Sequence, residues 1–308
     1  MKILIELPTW LGDSVMTTPA IENLSNFFID SEITLIGSII AIEALKNHPK
    51  VTKTYVLEKK YLNLYKTIKD FGDFDVFFSF RGSIRSKLVK FCVSSKRKFQ
   101  FDKKKYKNFH QVEKYNNFIN NSLKINTTAN KLVIHAKKKN KGSKNKLLGI
   151  NPGASYGSSK RWYPKGFADV ASDLSCKYDI IIFGGPGEKD IAKDIENYLI
   201  EYGVKNYQNL STKLSVKELI SQISNLDLFI TGDSGPMHLA AAFQVPTVSI
   251  FGPTNVKETS QWLNEKSMIV KKTLECQPCM ERTCPLKHHN CMKKIEASEV
   301  LCAIDVIN

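Results

Sequence analysis

The chain has 308 residues, long for a single hydrophobic core and suited to two domains of roughly 150 residues each. Apolar residues make up 42% and charged residues 24%, a balance that excludes disordered and fibrous classes. The net charge of +15 is one-sided: residues 1–146 hold 28 Lys+Arg against 12 Asp+Glu, and residues 147–308 hold 17 against 18. Such an excess marks either an anionic partner of the first half or a surface of solvated lysines.

The opening MKILIELPTW lacks the charged region, long apolar region and cleavage site of a secretion signal, and it is read as a first strand. No window approaches the roughly 18 consecutive apolar residues that span a bilayer, so the expectation is a cytoplasmic protein whose membrane contact is peripheral. Seven cysteines, an odd number in a chain that needs no staples, fit a reducing compartment. In chain order, strands are expected at residues 2–7, 33–36, 54–57, 75–80 and 97–101, then at 147–151, 178–183, 226–231 and 247–251. Helix-length patterns lie between them, for example at 18–28 and 165–177. This alternation predicts an α/β protein with parallel sheets covered on both faces. Residues 137–146, KKKNKGSKNK, contain no apolar side chain and are read as the linker between the halves.

Three strand exits carry chemistry. Leu7-Pro8-Thr9-Trp10-Leu11-Gly12-Asp13-Ser14 leads from the first strand into a helix, where a crevice-facing Asp13 is a candidate base and a helix cap is the plainer reading. Asn151-Pro152-Gly153-Ala154-Ser155, continuing to Lys160-Arg161-Trp162, supplies backbone N–H groups, a hydroxyl and a point charge for a phosphate. Thr231-Gly232-Asp233-Ser234-Gly235-Pro236-Met237-His238 is the most specific of the three, because a tight turn runs into a helix with proline in its first turn. The N–H groups at that helix start, together with Ser234 and His238, form an anion site; Asp233 as a simple cap is the alternative. Neither GxGxxG nor GxxxxGK[ST] spacing is present, so dinucleotide folds and P-loops are not supported. Between these segments, Phe183-Gly184-Gly185-Pro186-Gly187-Glu188 offers a carboxylate for a ribose diol, and Phe251-Gly252-Pro253-Thr254 is expected to close the same pocket.

Together, LPTWLGD, NPGA followed by KRW, GGPGE and GDSGPMHLAAA resemble the lipopolysaccharide heptosyltransferases, glycosyltransferase family 9. The likeness runs in order through nearly the whole chain and is loose over residues 40–145. It implies the GT-B fold, two Rossmann-like domains with parallel sheets facing across a cleft and a C-terminal helix crossing back to the first domain. The implied division is an acceptor domain at 1–145, a donor domain at 146–295 and the returning helix at 296–308. It further implies inverting transfer of heptose from ADP-heptose to the anionic inner core of lipopolysaccharide at the inner membrane, with no cofactor required for catalysis. Asp13 would be the base, Lys160 would neutralise the leaving ADP with Ser155 nearby, and Glu188 would lie near the ribose. Ser234, Gly235 and His238 would hold the phosphates while Asp233 orients the donor. An anionic acceptor would also give the basic first half a partner, with Arg81, Arg85 and Lys87 as contacts and residues 96–98 and 103–105 beyond them.

Cys276, Cys279, Cys284 and Cys291, with His288 and His289 between the last two, have a spacing compatible with structural zinc; a disulfide and free thiols are the alternatives. Cys92, Cys176 and Cys302 lie in apolar patterns and are expected to be buried. Two other readings stay open: a GT-B enzyme using another sugar nucleotide, including an epimerase, and a basic nucleic-acid-binding protein. Against the last, no interleaved aromatic and basic motif is present, so no nucleic-acid partner is expected.

Overall fold

The computed structural model describes residues 1–57, 67–136 and 145–307, so most of the lysine-rich linker expected at 137–146 lies outside the described residues. The chain groups into two compact units, Met1–Ala136 and Lys137–Asn308.

The first unit is built on five parallel strands in the order β3-β2-β1-β4-β5, with β1 at Lys2–Glu6, β2 at Glu32–Gly37, β3 at Val51–Val56, β4 at Phe74–Ser79 and β5 at Ser95–Gln100. A parallel sheet is covered on both faces, so its central strands need apolar residues at successive positions. Ile3, Leu4 and Ile5 of β1 and Val76, Phe77 and Phe78 of β4 meet that need and are buried. The outer strands VTKTYV and SKRKFQ mix in Lys and Thr because one side faces solvent. Helices Ile39–Leu45 and Ile84–Cys92 start on Ser38 and Ser83, whose hydroxyls accept from the N–H groups of Ala41 and Ser86. Helix Gln111–Leu123 packs its aromatic face on the sheet, where Tyr115 and Phe118 meet Phe80 and Phe101.

The last described stretch of this unit is pinned by polar contacts. Thr18 Oγ1 accepts from Val133 N–H at 3.0 Å, and Glu22 Oε1 lies 2.9 Å from His135 Nε2 and 3.3 Å from His48 Nε2. These bonds, His48 first, hold the Glu22 carboxyl below its ordinary value of 4.5 despite partial burial. Folded Glu22 therefore binds fewer protons than the unfolded chain just below pH 4.5, and stability rises with pH there. The contribution is complete above 4.5 and is lost as pH falls through the folded value. Glu22→Gln is expected to destabilise the protein at pH 7, with the gap to the parent shrinking below pH 4.5 in denaturation midpoints.

The second unit has six parallel strands in the order β11-β10-β9-β6-β7-β8. They are β6 at Lys146–Asn151, β7 at Tyr178–Ile182, β8 at Tyr207–Asn209, β9 at Leu228–Gly232, β10 at Thr247–Phe251 and β11 at Ser267–Lys271. Helices Pro164–Leu174, Lys189–Glu201, Val216–Ile223 and Gly235–Ala242 follow four of the strands. The final helix Ala297–Ile307 packs on helix Pro164–Leu174 and on β10 and β11, placing Val300, Ala303 and Ile304 in the core of this unit. Trp162 anchors the same region, its indole N–H donating to Ile295 O at 3.1 Å.

Three cysteines depart from expectation. Cys92, Cys176 and Cys302 are exposed, not buried. Cys92 ends a helix, Cys176 sits in the turn after one, and Cys302 points away from the face that buries Val300, Ala303 and Ile304. Among the described residues, no helix is long and apolar enough to cross a membrane.

In each sheet the strand order reverses once, between β1 and β4 and again between β6 and β9. Loops leaving such neighbours diverge to opposite faces and open a crevice at the carboxyl ends of the strands. The chemistry-bearing segments after β1, β6 and β9 all border these two points.

Candidate functional site

At the first reversal, helix Leu11–Met16 follows β1 after a short turn, with Trp10 as its N-cap residue. Asp13 therefore lies in the first turn and is not the cap. Ser14 does not cap either: its hydroxyl turns back to the carbonyls of Pro8 at 3.1 Å and Trp10 at 2.9 Å. Asp13 is half-buried, and its negative charge sits in the favourable field of the helix start. It is close enough to Tyr115 to act on that hydroxyl, which burial first and the Asp13 charge second push well above its ordinary pKa.

The end of β1 holds a group that the motifs did not reveal. Glu6, at the end of β1, is fully buried and accepts from Ser79 Oγ at 2.6 Å and Ser86 Oγ at 2.9 Å. The Arg81 guanidinium stands 3.6 Å away. Burial raises the Glu6 pKa, against the opposing pull of Ser79, Arg81, Ser86 and Arg85. The sequence held one signal for it, an acid ending the otherwise apolar strand KILIE. Two of the expected acceptor contacts, Arg81 and Arg85, thus carry charge beside a buried carboxylate, whereas Lys87 is exposed on helix Ile84–Cys92. Lys96 pairs with Asp75 at 2.8 Å on the surface, and Lys103–Lys105 form an exposed short helix.

At the second reversal, the segments after β6 and β9 are joined. Lys160 Nζ lies 2.6 Å from Asp233 Oδ2, and the same oxygen accepts from Thr254 Oγ1 at 2.6 Å. Asp233 is 4% exposed, so the pair is withdrawn from water. The N-cap residue of helix Gly235–Ala242 is Ser234, not Asp233, and its side chain makes no cap bond. Ser234 Oγ instead lies 3.1 Å from Thr231 Oγ1 and accepts from Asn151 Nδ2 at 3.2 Å. Pro236 carries no N–H and Met237 N–H donates to Ser234 O at 3.2 Å, so what this helix start offers an anion is the Gly235 N–H and the helix dipole. His238 is buried on the next turn, whereas Ser155 is exposed at the turn after Ala154.

Glu188 ties the exit of β7 to the segment after β6. It is buried, and its Oε2 accepts from Gly185 N–H at 2.7 Å. Its carboxylate lies directly over Gly153: a Cβ on that glycine would fall 1.9 Å from Glu188 Cδ. Gly153→Ala is therefore expected to expel Glu188 and to cost about 1–3 kcal/mol, read as a lower denaturant midpoint at constant slope.

Two further clusters bear on metals. Among the described residues, Glu22, His48 and His135 bring three ligand-capable atoms within 4.8 Å. However, His48 Nδ1 accepts Lys50 N–H at 3.2 Å, which leaves the proton on Nε2, pointed at Glu22. This group is a hydrogen-bonded clamp, since His48 offers no lone pair at the shared centre. The four clustered cysteines are drawn together around one small cavity. Burial first, then its neighbours Cys284, Cys279 and Cys276, push the Cys291 thiol up to about 11.

The sequence pattern of glycosyltransferase family 9 (heptosyltransferase) matches residues 63–290. The chain is 43% identical to lipooligosaccharide heptosyltransferase 2 of Campylobacter jejuni over 98% of its own length and 96% of that protein's. Among solved structures, Escherichia coli ADP-heptose LPS heptosyltransferase II is similar in fold, with a TM-score of 0.82 at 20% identity over 100% of this chain and 98% of that one. E. coli heptosyltransferase WaaC with ADP gives a TM-score of 0.78 at 15% identity, each chain covered in full. The two parallel sheets agree with the expected GT-B architecture, and the matched pattern spans most of the chain. The chain belongs to glycosyltransferase family 9, the heptosyltransferases.

Proposed function

We propose that this protein transfers heptose from ADP-heptose, with inversion, to an inner-core heptose of lipooligosaccharide or lipopolysaccharide; its C. jejuni relative is named as a lipooligosaccharide heptosyltransferase. The observation that carries this reading is the second reversal point, where Lys160, Ser234 and the start of helix Gly235–Ala242 converge on the strand exits that would receive a nucleotide diphosphate. In this reading the donor half, 146–295, binds ADP-heptose and the acceptor half, 1–145, supplies the base; helix Ala297–Ile307, expected to return to the first domain, packs on the core of the donor half.

Asp13 takes the proton of the acceptor hydroxyl as that oxygen attacks the anomeric carbon. The C–O bond to the diphosphate breaks on the opposite side, and ADP leaves with its negative charge. Developing charge on a leaving group is stabilised best by dipoles and cations already in place. The helix start, Ser234, Gly235 and His238 serve the phosphates, and Lys160 neutralises the departing ADP once it exchanges Asp233 for phosphate. Asp233 orients the donor, Ser155 stands beside the phosphates, and Glu188 accepts from the ribose diol. This chemistry needs no metal or organic cofactor. Arg81, Arg85 and Lys87 meet the anionic groups of the acceptor, which fits a peripheral enzyme at the cytoplasmic face of the inner membrane.

A donor panel tests the reading. ADP-heptose is expected to give a kcat/KM at least about 100-fold above UDP-, GDP- and other ADP-sugars, the discrimination that a site built to hydrogen-bond its substrate reaches. Comparable turnover with a hexose donor would replace heptose in the proposal and leave the family intact.

A further inference from the structure

Large apolar side chains exposed one by one are ordinary, whereas several on a single stripe mark a contact surface. Helix Ile84–Cys92, between β4 and β5, carries such a stripe. Its inner face buries Ser86 and Val89, and Val89 joins Val93, Phe74 and Phe77 in the core beneath. On its outer face Ile84, Leu88 and Phe91 are 78%, 45% and 84% exposed. Residues spaced in this way fall on one side of a helix, so the three side chains form one row pointing away from the sheet. The helix is therefore apolar on both sides, which folding alone does not require.

The rim of the stripe is basic. By the same helical spacing Lys87 borders it on one side and Arg85 on the other. Lys90 follows in the last turn, and Lys98 Nζ reaches over from β5 to donate to Phe91 O at 3.3 Å. The helix has no acidic residue, and residues 81–105 hold ten Lys+Arg against one acid, Asp102. Asp73 and Asp75, at the amino end of β4, are already engaged: Asp73 Oδ1 accepts from Ser94 Oγ at 2.5 Å and Asp75 Oδ1 pairs with Lys96 Nζ at 2.8 Å. An apolar row inside a border of cationic groups is the pattern of a helix lying in a bilayer interface, with its carbons among the acyl chains and its cations among anionic headgroups. A second copy of this chain fits the stripe poorly, because a two-fold contact would press the same basic border against itself.

We infer that helix Ile84–Cys92 docks the protein on an anionic lipid surface, with Ile84, Leu88 and Phe91 inserted and Lys90 and Lys98 on the headgroups. The choice of a lipid surface over another apolar partner rests on this charge match and on the glycolipid acceptor of the proposed function. The helix starts beyond the carboxyl end of β4, which pairs with β1 in parallel, so its Ile84 end and the turn leading to Asp13 leave the sheet at the same end. Docking thus brings the crevice mouth of this unit to the headgroup layer, where an acceptor anchored in the membrane presents its sugars. The attachment is non-covalent and reversible, since three side chains on a nine-residue helix offer a modest apolar area.

Cosedimentation of the full chain with phosphatidylcholine vesicles, with and without phosphatidylglycerol, tests this. The parent is expected to bind the phosphatidylglycerol vesicles at least about tenfold more tightly than the neutral ones and to lose that preference at high salt. Ile84→Ser and Phe91→Ser should each weaken binding to the anionic vesicles about tenfold at an unchanged urea midpoint, because both side chains are exposed in the fold. In Phe91→Trp, lipids brominated on their acyl chains should quench emission that the parent lacks. Phe91→Ser should keep the parental turnover on a soluble, delipidated acceptor and lose about tenfold on the same sugars carried by vesicles. Vesicle binding is read without donor or turnover, so it stands or falls apart from the choice of sugar. A parent that ignores anionic vesicles overturns the inference, as do serine variants that bind them like the parent. So does a dimer in sedimentation velocity that the same substitutions dissolve, which would give the face to a second copy.

Discussion

Asp13→Asn is expected to lower kcat by about 10²–10⁴-fold, the range over which a positioned general base acts, while ADP binding stays unchanged. The substitution keeps the shape of the side chain and its place in the first turn of helix Leu11–Met16, so the fold has little reason to respond. The lost charge at the helix start costs at most about 1 kcal/mol. Because Asp13 is not the cap residue and Ser14 bonds back to the preceding carbonyls, the helix does not depend on the Asp13 carboxylate. A structural acid would show the opposite pattern, a lower unfolding midpoint with turnover nearly intact. The acid limb of the kcat profile should also flatten in the variant, since the group that must be deprotonated is gone.

Lys160→Ala and Asp233→Asn should both destabilise the protein, by about 3–5 kcal/mol in each case, because each leaves a largely buried charge without its partner. Their effects on ligand should diverge. Lys160→Ala removes a charge-assisted donor to phosphate and is expected to weaken ADP by about 10- to 100-fold. Asp233→Asn keeps Thr254 as a neighbour and releases Lys160 from a 2.6 Å ion pair, so ADP no longer competes with a carboxylate for that ammonium. ADP affinity should therefore hold or rise in Asp233→Asn even as sugar transfer falls. Equal weakening of ADP in both variants would mean that the pair acts only as a brace between the segments after β6 and β9. Calorimetric titration with ADP, alongside urea unfolding, separates these outcomes.

Much of the fold was legible because a doubly covered parallel sheet demands apolar strands, and β1, β4, β6, β7 and β10 supply them within a residue or so of expectation. The misses are edge strands and the start of β9. β8 has three residues and β11 has one buried position, so neither carries an apolar run, and β3 begins three residues early in VTKTYV, where Lys and Thr hide the pattern. β9 starts two residues late, because Asp227 precedes it and offers its carboxylate to Leu147 N–H at 2.8 Å. At the site, the glycine, proline and serine of GDSGP announced a turn into a helix, since backbone chemistry of that kind is local. What joins distant segments was not legible. Lys160 reading as a free phosphate ligand and Asp233 as a cap were both local inferences, and the ion pair between them appears only when β6 and β9 become neighbours. Glu6 escaped for the same reason: its partners Ser79, Arg81 and Ser86 arrive on β4 and the chain after it. The exposed cysteines show the complementary error, where an apolar neighbourhood in sequence was taken for burial, though a helix shows one face to water.

The central claim is an inverting heptosyl transfer with Asp13 as base, and its most direct test is the product. With ADP-heptose and a truncated inner-core acceptor, NMR of the purified product should show one new heptosyl linkage of anomeric configuration opposite to the donor's. One ADP should be released per linkage formed, and Asp13→Asn should yield the same linkage at a rate lower by about 10²–10⁴-fold. A product that retains the donor configuration, or ADP release without transfer to the core sugar, would contradict the account.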